Sequence, residues 1–207
     1  MEKEYFIEIE KALLELEQPS LWLNQLLEKP WFRKPPFNEL YQLSKTEQSP
    51  THHPEGDAWK HTMLVVNEAA KVKNQSSNPR AFMWGAFLHD IGKPETTKRY
   101  KGRITSYNHD AVGAKKAEKF LQYFQEPEDF VQLTTAYVRW HMMILYVIKD
   151  LPFGDVRQMQ KDIDPKEIAL LGWCDRMGRL QADEEKERDD IDLFLKKVTT
   201  LDRTKKK

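Results

Sequence analysis

Apolar positions along this chain recur at helical spacing almost throughout. Residues 3–17 carry Phe6, Ile9, Leu13 and Leu16 on one side, which predicts an amphipathic helix. Pro19-Ser20 starts a short second helix, with Ser20 as a cap and Leu21 to Leu27 as its apolar side. Between Pro30 and Pro54 the chain is proline-rich, so it reads as an irregular connection with a short helix near Phe37 to Leu43. That stretch is either a domain boundary or an arm wrapping a core. Trp31, Phe32, Phe37, Leu40 and Tyr41 need a surface to bury against, which favours the arm.

The helical signal strengthens from Asp57, a cap for a helix to about Asn74 with Ala58, His61, Leu64, Val65 and Ala69 on its inner face. Asn78-Pro79 is a second strong start, a capping side chain followed by proline at the first helical position. That helix runs through an apolar stretch, residues 81–88, into His89-Asp90 and stops at Gly92 and Pro94. Lys98 to Thr105 fits a short hairpin or loop around Gly102. Asn108 opens a helix to about Gln125, and Pro127 opens another that continues past His141 toward Ile148. Asp164-Pro165 begins a helix reaching toward Glu187, and a last helix spans Asp190 to Leu201 before a lysine tail. The fold class this predicts is all-α, with no strand pattern of any length.

Composition narrows the class without naming a task. The 207 residues carry 33 basic and 33 acidic side chains, so no net charge draws the chain to nucleic acid or membrane. Neither long apolar run, residues 81–88 or Met142 to Ile148, can span a bilayer. The first residues, Met1-Glu2-Lys3-Glu4, lack signal-peptide features, and the single Cys174 allows no intrachain disulfide and no CxxC zinc site. A cytoplasmic location is the expectation. Glycines form neither GxGxxG nor GxxxxGK, no serine sits in GxSxG, and Cys174 lacks a partner motif for nucleophilic work.

The chemistry concentrates in histidines. His61, His89 and His141 each fall on an apolar helical stripe, His109 opens a helix, and Asp175 shares a face with Ile168 and Leu171. A lone inward histidine is more often a satisfied core residue than a ligand. Asp90 at the end of an apolar run is harder to place, because a buried, unpaired charge costs several kcal/mol. Helical bundles build metal sites from such inward residues on facing helices, and imidazole with carboxylate suits Mn, Fe, Co, Ni or Zn, with Mg preferring more oxygen.

Five ordered segments carry a resemblance: residues 53–62 (HPEGDAWKHT), His89-Asp90-Ile91-Gly92-Lys93, residues 107–114 (YNHDAVGA), Arg139-Trp140-His141, and Cys174-Asp175-Arg176-Met177-Gly178-Arg179. Together they resemble the HD superfamily of metal-dependent phosphohydrolases, and within it the HD domain attached to some bacterial CCA-adding tRNA nucleotidyltransferases. The resemblance implies an HD-domain helical bundle with a helical N-terminal arm. It divides one domain into an arm (1–45), an HD core (46–182) and a C-terminal helix with lysine tail (183–207). It implies that His61, His89, Asp90 and Asp175 hold one divalent ion, and that His109 and His141 hold a second, bridged by Asp90. Asp90 and Lys93 would be catalytic, with His53, Lys93 and Arg179 binding substrate. The implied activity is metal-dependent hydrolysis of phosphate esters of nucleotides or RNA ends, as a phosphomonoesterase, a 2′,3′-cyclic phosphodiesterase or both, by metal-activated hydroxide. One or two ions of Mn, Fe, Co, Ni, Mg or Zn would serve.

No paired-carboxylate strand motif occupies the first 40 residues, so CCA addition is not expected of this chain. A non-catalytic, metal-stabilised module that binds a nucleotide or partner protein is the alternative, and an RNA-binding accessory domain is a third reading. The cationic loop Lys98, Arg99, Lys101 and Arg103 reads equally as a rim for further phosphates or as a solvated loop, and the run Asp183 to Asp190 as a solvated helix face.

Overall fold

The computed structural model describes residues 1–203, with side chains to residue 200; the lysine tail, Lys205 to Lys207, lies outside the described residues. The architecture is all-α apart from one small hairpin. Helix α1 (Glu2–Glu15) and α2 (Pro19–Leu23) lead through 3-10 turns at 24–28 and 30–33 to α3 (Asn38–Tyr41) and a further turn at 42–45. The bundle follows as α4 (Ala58–Val72), α5 (Pro79–Leu88), α6 (Lys93–Thr96), the strands β1 (Lys98–Tyr100) and β2 (Arg103–Thr105), α7 (His109–Tyr123), α8 (Glu128–Trp140), α9 (Met143–Ile148), α10 (Val156–Asp162), α11 (Pro165–Met177) and α12 (Glu184–Arg203). No described helix is long and apolar enough to cross a membrane.

Helix α5 is the axis of the bundle. Residues 81–88 are all buried, and the helix packs on α1, α4, α8 and α11. A helix that is apolar all round has no solvent face to offer and must be enclosed. Asn78 Oδ1 accepts from Ala81 N at 3.0 Å, as its place before Pro79 predicts. Asp57 and Asp164 cap α4 and α11 in the same way, accepting from Lys60 N and Lys166 N. Asp155 does so for α10, a short helix absent from the sequence reading.

The aromatic arm closes over this axis. Phe6 stacks on Trp84 at 4.4 Å, Tyr5 stacks on Trp31 at 3.9 Å, and Phe37 meets Phe120 edge-on at 5.8 Å. Glu10 Oε2 accepts from Trp84 Nε1 and Arg80 Nε, which ties the polar side of α1 to α5. Ser20 is not a cap: it lies inside α2 and exchanges hydrogen bonds with Asn67 of α4. On α4, Leu64 is only half-buried, while Trp59, Thr62 and Val66 join the core beside Ala58, His61, Val65 and Ala69.

Three expected helices end elsewhere. The helix from Pro127 does not run through His141; it stops at Trp140 and restarts as α9, because Nδ1–H of His141 donates to Val138 O and competes with the backbone for that carbonyl. Helix α11 ends at Met177 rather than near Glu187. A Cβ on Gly178 would lie 2.8 Å from Val65 Cγ2 and 3.0 Å from Val65 N, so the chain turns where α11 touches α4. Helix α12 begins at Glu184 rather than Asp190, with Asp183 accepting from Lys186 N. The run Asp183 to Asp190 is not merely a solvated face: Glu187 is buried, and it pairs with Arg176 together with Asp190.

One close approach positions the chemistry. A Cβ on Gly92 would lie 2.1 Å from His109 O and 2.6 Å from Gly113 N, so only glycine lets the start of α7 press against the turn after His89-Asp90. Gly92→Ala must push α7 away and is expected to cost about 1–3 kcal/mol. Calorimetry should record a melting midpoint lower by roughly 2–12 °C; an unchanged midpoint would show that this contact does not hold the two segments together.

Candidate metal centre

Four histidines and two aspartates from five parts of the chain meet at one end of α5. His89 closes α5, and the tight turn after it points Asp90 inward; both are 1% exposed. His61 comes from the first turn of α4, Asp175 from near the end of α11, His109 from the start of α7 and His141 from the end of α8. The sequence reading set His89 and His141 on helical stripes. The structure sets them at helix ends, and that placement fixes their chemistry.

Nδ1–H of His89 donates to Ala86 O at 2.8 Å, that of His109 to Ser106 O at 2.7 Å, and that of His141 to Val138 O at 2.7 Å. Each donation uses the carbonyl three residues back. With its proton on Nδ1, each neutral ring turns a bare Nε2 lone pair inward. His61 lies inside a helix and uses another device. Glu55 Oε1 lies 2.9 Å from Nδ1 of both His61 and His53, and the His53 contact has hydrogen-bond geometry.

The inward atoms converge. Nε2 of His61 is 2.8 Å from Asp175 Oδ1, and Nε2 of His89 is 3.2 Å from Asp90 Oδ2. Asp90 Oδ1 lies 3.6 Å from His109 Nε2 and 4.0 Å from His141 Nε2. Possible ligand atoms of His61, His89 and Asp90 fall within 4.8 Å of one another, as do those of Asp90, His109 and His141, so Asp90 belongs to both groups.

Charge and desolvation set the protonation states. Burial alone would raise the Asp90 carboxyl, but His89 and Lys93 hold it well below the usual carboxylate range. Burial likewise opposes ionisation of Asp175, and Arg179 and His61 overcome it. Burial pushes His141 down to about 4, with His109 and His89 adding to the effect, and it lowers His109 as well. Burial also disfavours charge on His61, yet Asp175 and Glu55 hold its pKa above the ordinary value.

These residues fit a divalent cation. Nε2 of His89 and Oδ2 of Asp90 are buried and without a hydrogen-bond partner. Nε2 of His109 lies 3.0 Å from Nε2 of His141 although both rings have committed Nδ1 to a carbonyl, so two lone pairs face each other. A cation between such atoms relieves both conditions, and the nitrogen–oxygen donor set suits first-row divalent ions.

Lys93 is closer in than the sequence suggested. Its Nζ sits 2.7 Å from Asp90 Oδ2 and donates to Gln48 Oε1, so the buried carboxylate already has a cation from the chain itself. Arg179 lies 3.5 Å from Asp175 Oδ2, half-buried at the edge of the centre. The ring of His53 packs against that of His61 at 4.6 Å, and burial lowers its pKa to about 4. Gln48 had no sequence signal: it lies in the proline-rich arm and arrives through the bridge pairing Glu47 with Asp57. Asp110, beside His109, is also buried and pairs with Arg139, whose guanidinium lies over Trp140.

Comparison with known proteins places the chain among them. The chain is 35% identical over 106 residues to the "Multifunctional CCA protein" of Actinobacillus pleuropneumoniae serotype 5b, covering 50% of this chain and 25% of that one. To the protein of the same name from Pasteurella multocida it is 32% identical over 136 residues, 64% of this chain and 31% of the relative. To that of Mannheimia succiniciproducens it is 30% identical over 179 residues, 83% and 42% of the two chains. The chain thus spans between a quarter and less than half of these curated relatives. Residues 58–178, which hold all six converging histidines and aspartates, match the family model described as HD domain, and the chain belongs to that family.

Proposed function

We propose that the chain is a metal-dependent phosphohydrolase acting on phosphate esters of nucleotides or RNA ends, as a phosphomonoesterase, a 2′,3′-cyclic phosphodiesterase or both. The observation that carries this reading is the membership of Asp90 in two ligand groups at once. In it, His61, His89, Asp90 and Asp175 hold one divalent ion, and Asp90, His109 and His141 hold a second. Such ions supply a water of depressed pKa, from about 15.7 toward about 7, and charge to offset the phosphate. Mn, Fe, Co, Ni, Mg and Zn are the candidates.

The chain's own residues do the rest. His89, His109 and His141 keep their protons on Nδ1, held by backbone carbonyls, and so turn Nε2 inward. The Lys93 ammonium, poised on Asp90, meets a phosphate oxygen or gives a proton to the leaving oxygen. Arg179 meets the phosphate from the Asp175 side. His53 offers its free edge toward substrate while Glu55 fixes both His53 and His61. The nucleotide or RNA class rests on the resemblance to the HD domain of CCA-adding tRNA nucleotidyltransferases.

Generic phosphodiester and phosphomonoester substrates assayed with Mn, Co, Ni and Mg are expected to turn over. Asp90→Ala should lose more than the roughly 10–100-fold that changes to outer partners of metal ligands cost. Activity surviving that change would remove the hydrolase reading, and retained metal with no turnover in the native protein would favour a non-catalytic binding module.

For the second ion, metal analysis of a His109→Ala, His141→Ala double variant is expected to show one equivalent fewer than the native protein. An unchanged ratio would leave a single ion.

Protonation gives a pH prediction for the chelator-treated protein. His53 and His141 have folded pKa values near 4 against an ordinary 6.5, so between those limits the unfolded chain binds more protons and stability falls as pH falls. Urea midpoints at pH 7 and pH 5 should show the loss, and equal midpoints would contradict the buried neutral imidazoles.

A further inference from the structure

The hairpin between the second and third metal-ligand segments has a surface that the metal centre leaves unused. From Thr96 to His109 the sequence holds Lys98, Arg99, Lys101 and Arg103 and no acid, in a chain whose charges balance overall at 33 each. Strands β1 and β2 pair Lys98 with Thr105, Arg99 with Ile104 and Tyr100 with Arg103. Alternation along a strand puts Lys98, Tyr100 and Arg103 on one face, and Arg99 with Ile104 on the other. Arg99 is engaged by Glu47 at 3.3 Å. Among the described residues, no carboxylate pairs with Lys98, Lys101 or Arg103.

Two exposed aromatic rings lie along the hairpin and at its foot. Tyr100 is 70% exposed beside the turn, and Tyr107 is 76% exposed at the foot of the hairpin, two residues before His109. Lys101 Nζ lies 5.3 Å from the centroid of the Tyr100 ring, so the exposed ring is flanked by a cation. The turn is fixed by two positive φ angles, 47° at Lys101 and 75° at Gly102, which presents the cationic tip in a defined shape.

The hairpin is planted on the metal centre by both legs. Thr97 Oγ1 and Ser106 Oγ meet at 2.7 Å and close its base. On one side Thr97 N donates to Lys93 O, and Lys93 holds Asp90. On the other, Ser106 O fixes Nδ1 of His109. Three strand residues rise about 10 Å, so the surface extends from the ligands outward by that much.

We propose that this face is a landing strip for single-stranded polynucleotide, delivering the end of a strand to the metal centre. Tyr107 and Tyr100 stack successive unpaired bases, while Lys98, Lys101 and Arg103 meet the phosphates. A duplex hides its base faces from such rings. A membrane surface would call for an apolar tip, and the tip here is Lys101-Gly102. The inference deepens the proposed function and rests on it only for the fate of the bound end; the binding itself stands apart.

The test uses the full chain in a chelator, with fluorescence anisotropy of labelled twelve-residue single-stranded RNA and DNA, the matching duplex, and a polyglutamate peptide. Both single strands are expected to bind with an affinity that falls steeply with salt. Tyr100→Ala, which changes no charge, should weaken binding about tenfold; Lys98→Gln with Arg103→Gln should flatten the salt dependence. All variants should keep the native rate on a generic small phosphate ester with metal. No binding of either strand, binding indifferent to Tyr100→Ala, or equal binding of the duplex or the peptide would overturn the proposal. Strand binding by a protein that hydrolyses nothing would overturn the hydrolase reading instead.

Discussion

Asp90 is a carboxylate with 1% exposure at the end of an entirely buried helix, and the fold around it answers that charge. Leaving such a group unpaired costs several kcal/mol. The chain supplies Lys93 from the next turn and three imidazoles at 3.2–4.0 Å. The Lys93 ammonium offsets one charge, yet His89 Nε2 and Asp90 Oδ2 stay without hydrogen bonds, and the His109 and His141 lone pairs still oppose each other. A site that is neutralised but not satisfied has donor atoms left that could take a further cation. That is the physical sense in which this fold and its chemistry are the same problem.

Helix ends solve it. A helix leaves its last carbonyls without partners, and at Ala86 and Val138 the imidazole of the residue three places on takes one of them. One hydrogen bond thus helps to end α5 or α8, fixes the tautomer and aims the lone pair. His109 repeats the arrangement from a loop carbonyl, Ser106 O, before α7. His61, in the first turn of α4, takes no carbonyl of its own helix and has Glu55 Oε1 2.9 Å from its Nδ1 instead. This division explains why the segment HPEGD, which looks like a simple turn before α4, sits against His61: Glu55 lies 2.9 Å from its Nδ1, and Asp57 caps the helix that carries it.

The remaining parts hold these ends together. The aromatic arm covers α5 through Phe6 on Trp84. Arg176, next to Asp175, is anchored by Glu187 and Asp190, so α12 braces the segment that carries Asp175. Gly92 admits α7 against the turn after Asp90, bringing His109 within reach. The hairpin then rises from the same junction, with one leg on Lys93 and the other on His109.

The sequence by itself determined the helices with strong local signals. Asn78-Pro79 and Asp57 fixed the starts of α5 and α4 because capping is a matter of a few neighbouring residues. The residues 81–88 predicted a buried axis because nothing in them suits water. The converging histidines and aspartates were legible as ordered segments, each with its own local pattern. The remaining features depend on partners distant in sequence. The stop of α11 at Gly178 is set by Val65, and the burial of Glu187 by Arg176. Gln48 reaches Lys93 across 45 residues through an arm that carries no periodicity to read. The pairing of Asp90 with both ligand groups, and the opposition of two lone pairs at 3.0 Å, likewise exist only once four helices and a turn are packed, because electrostatic contact depends on distance in space and sequence spacing does not encode it.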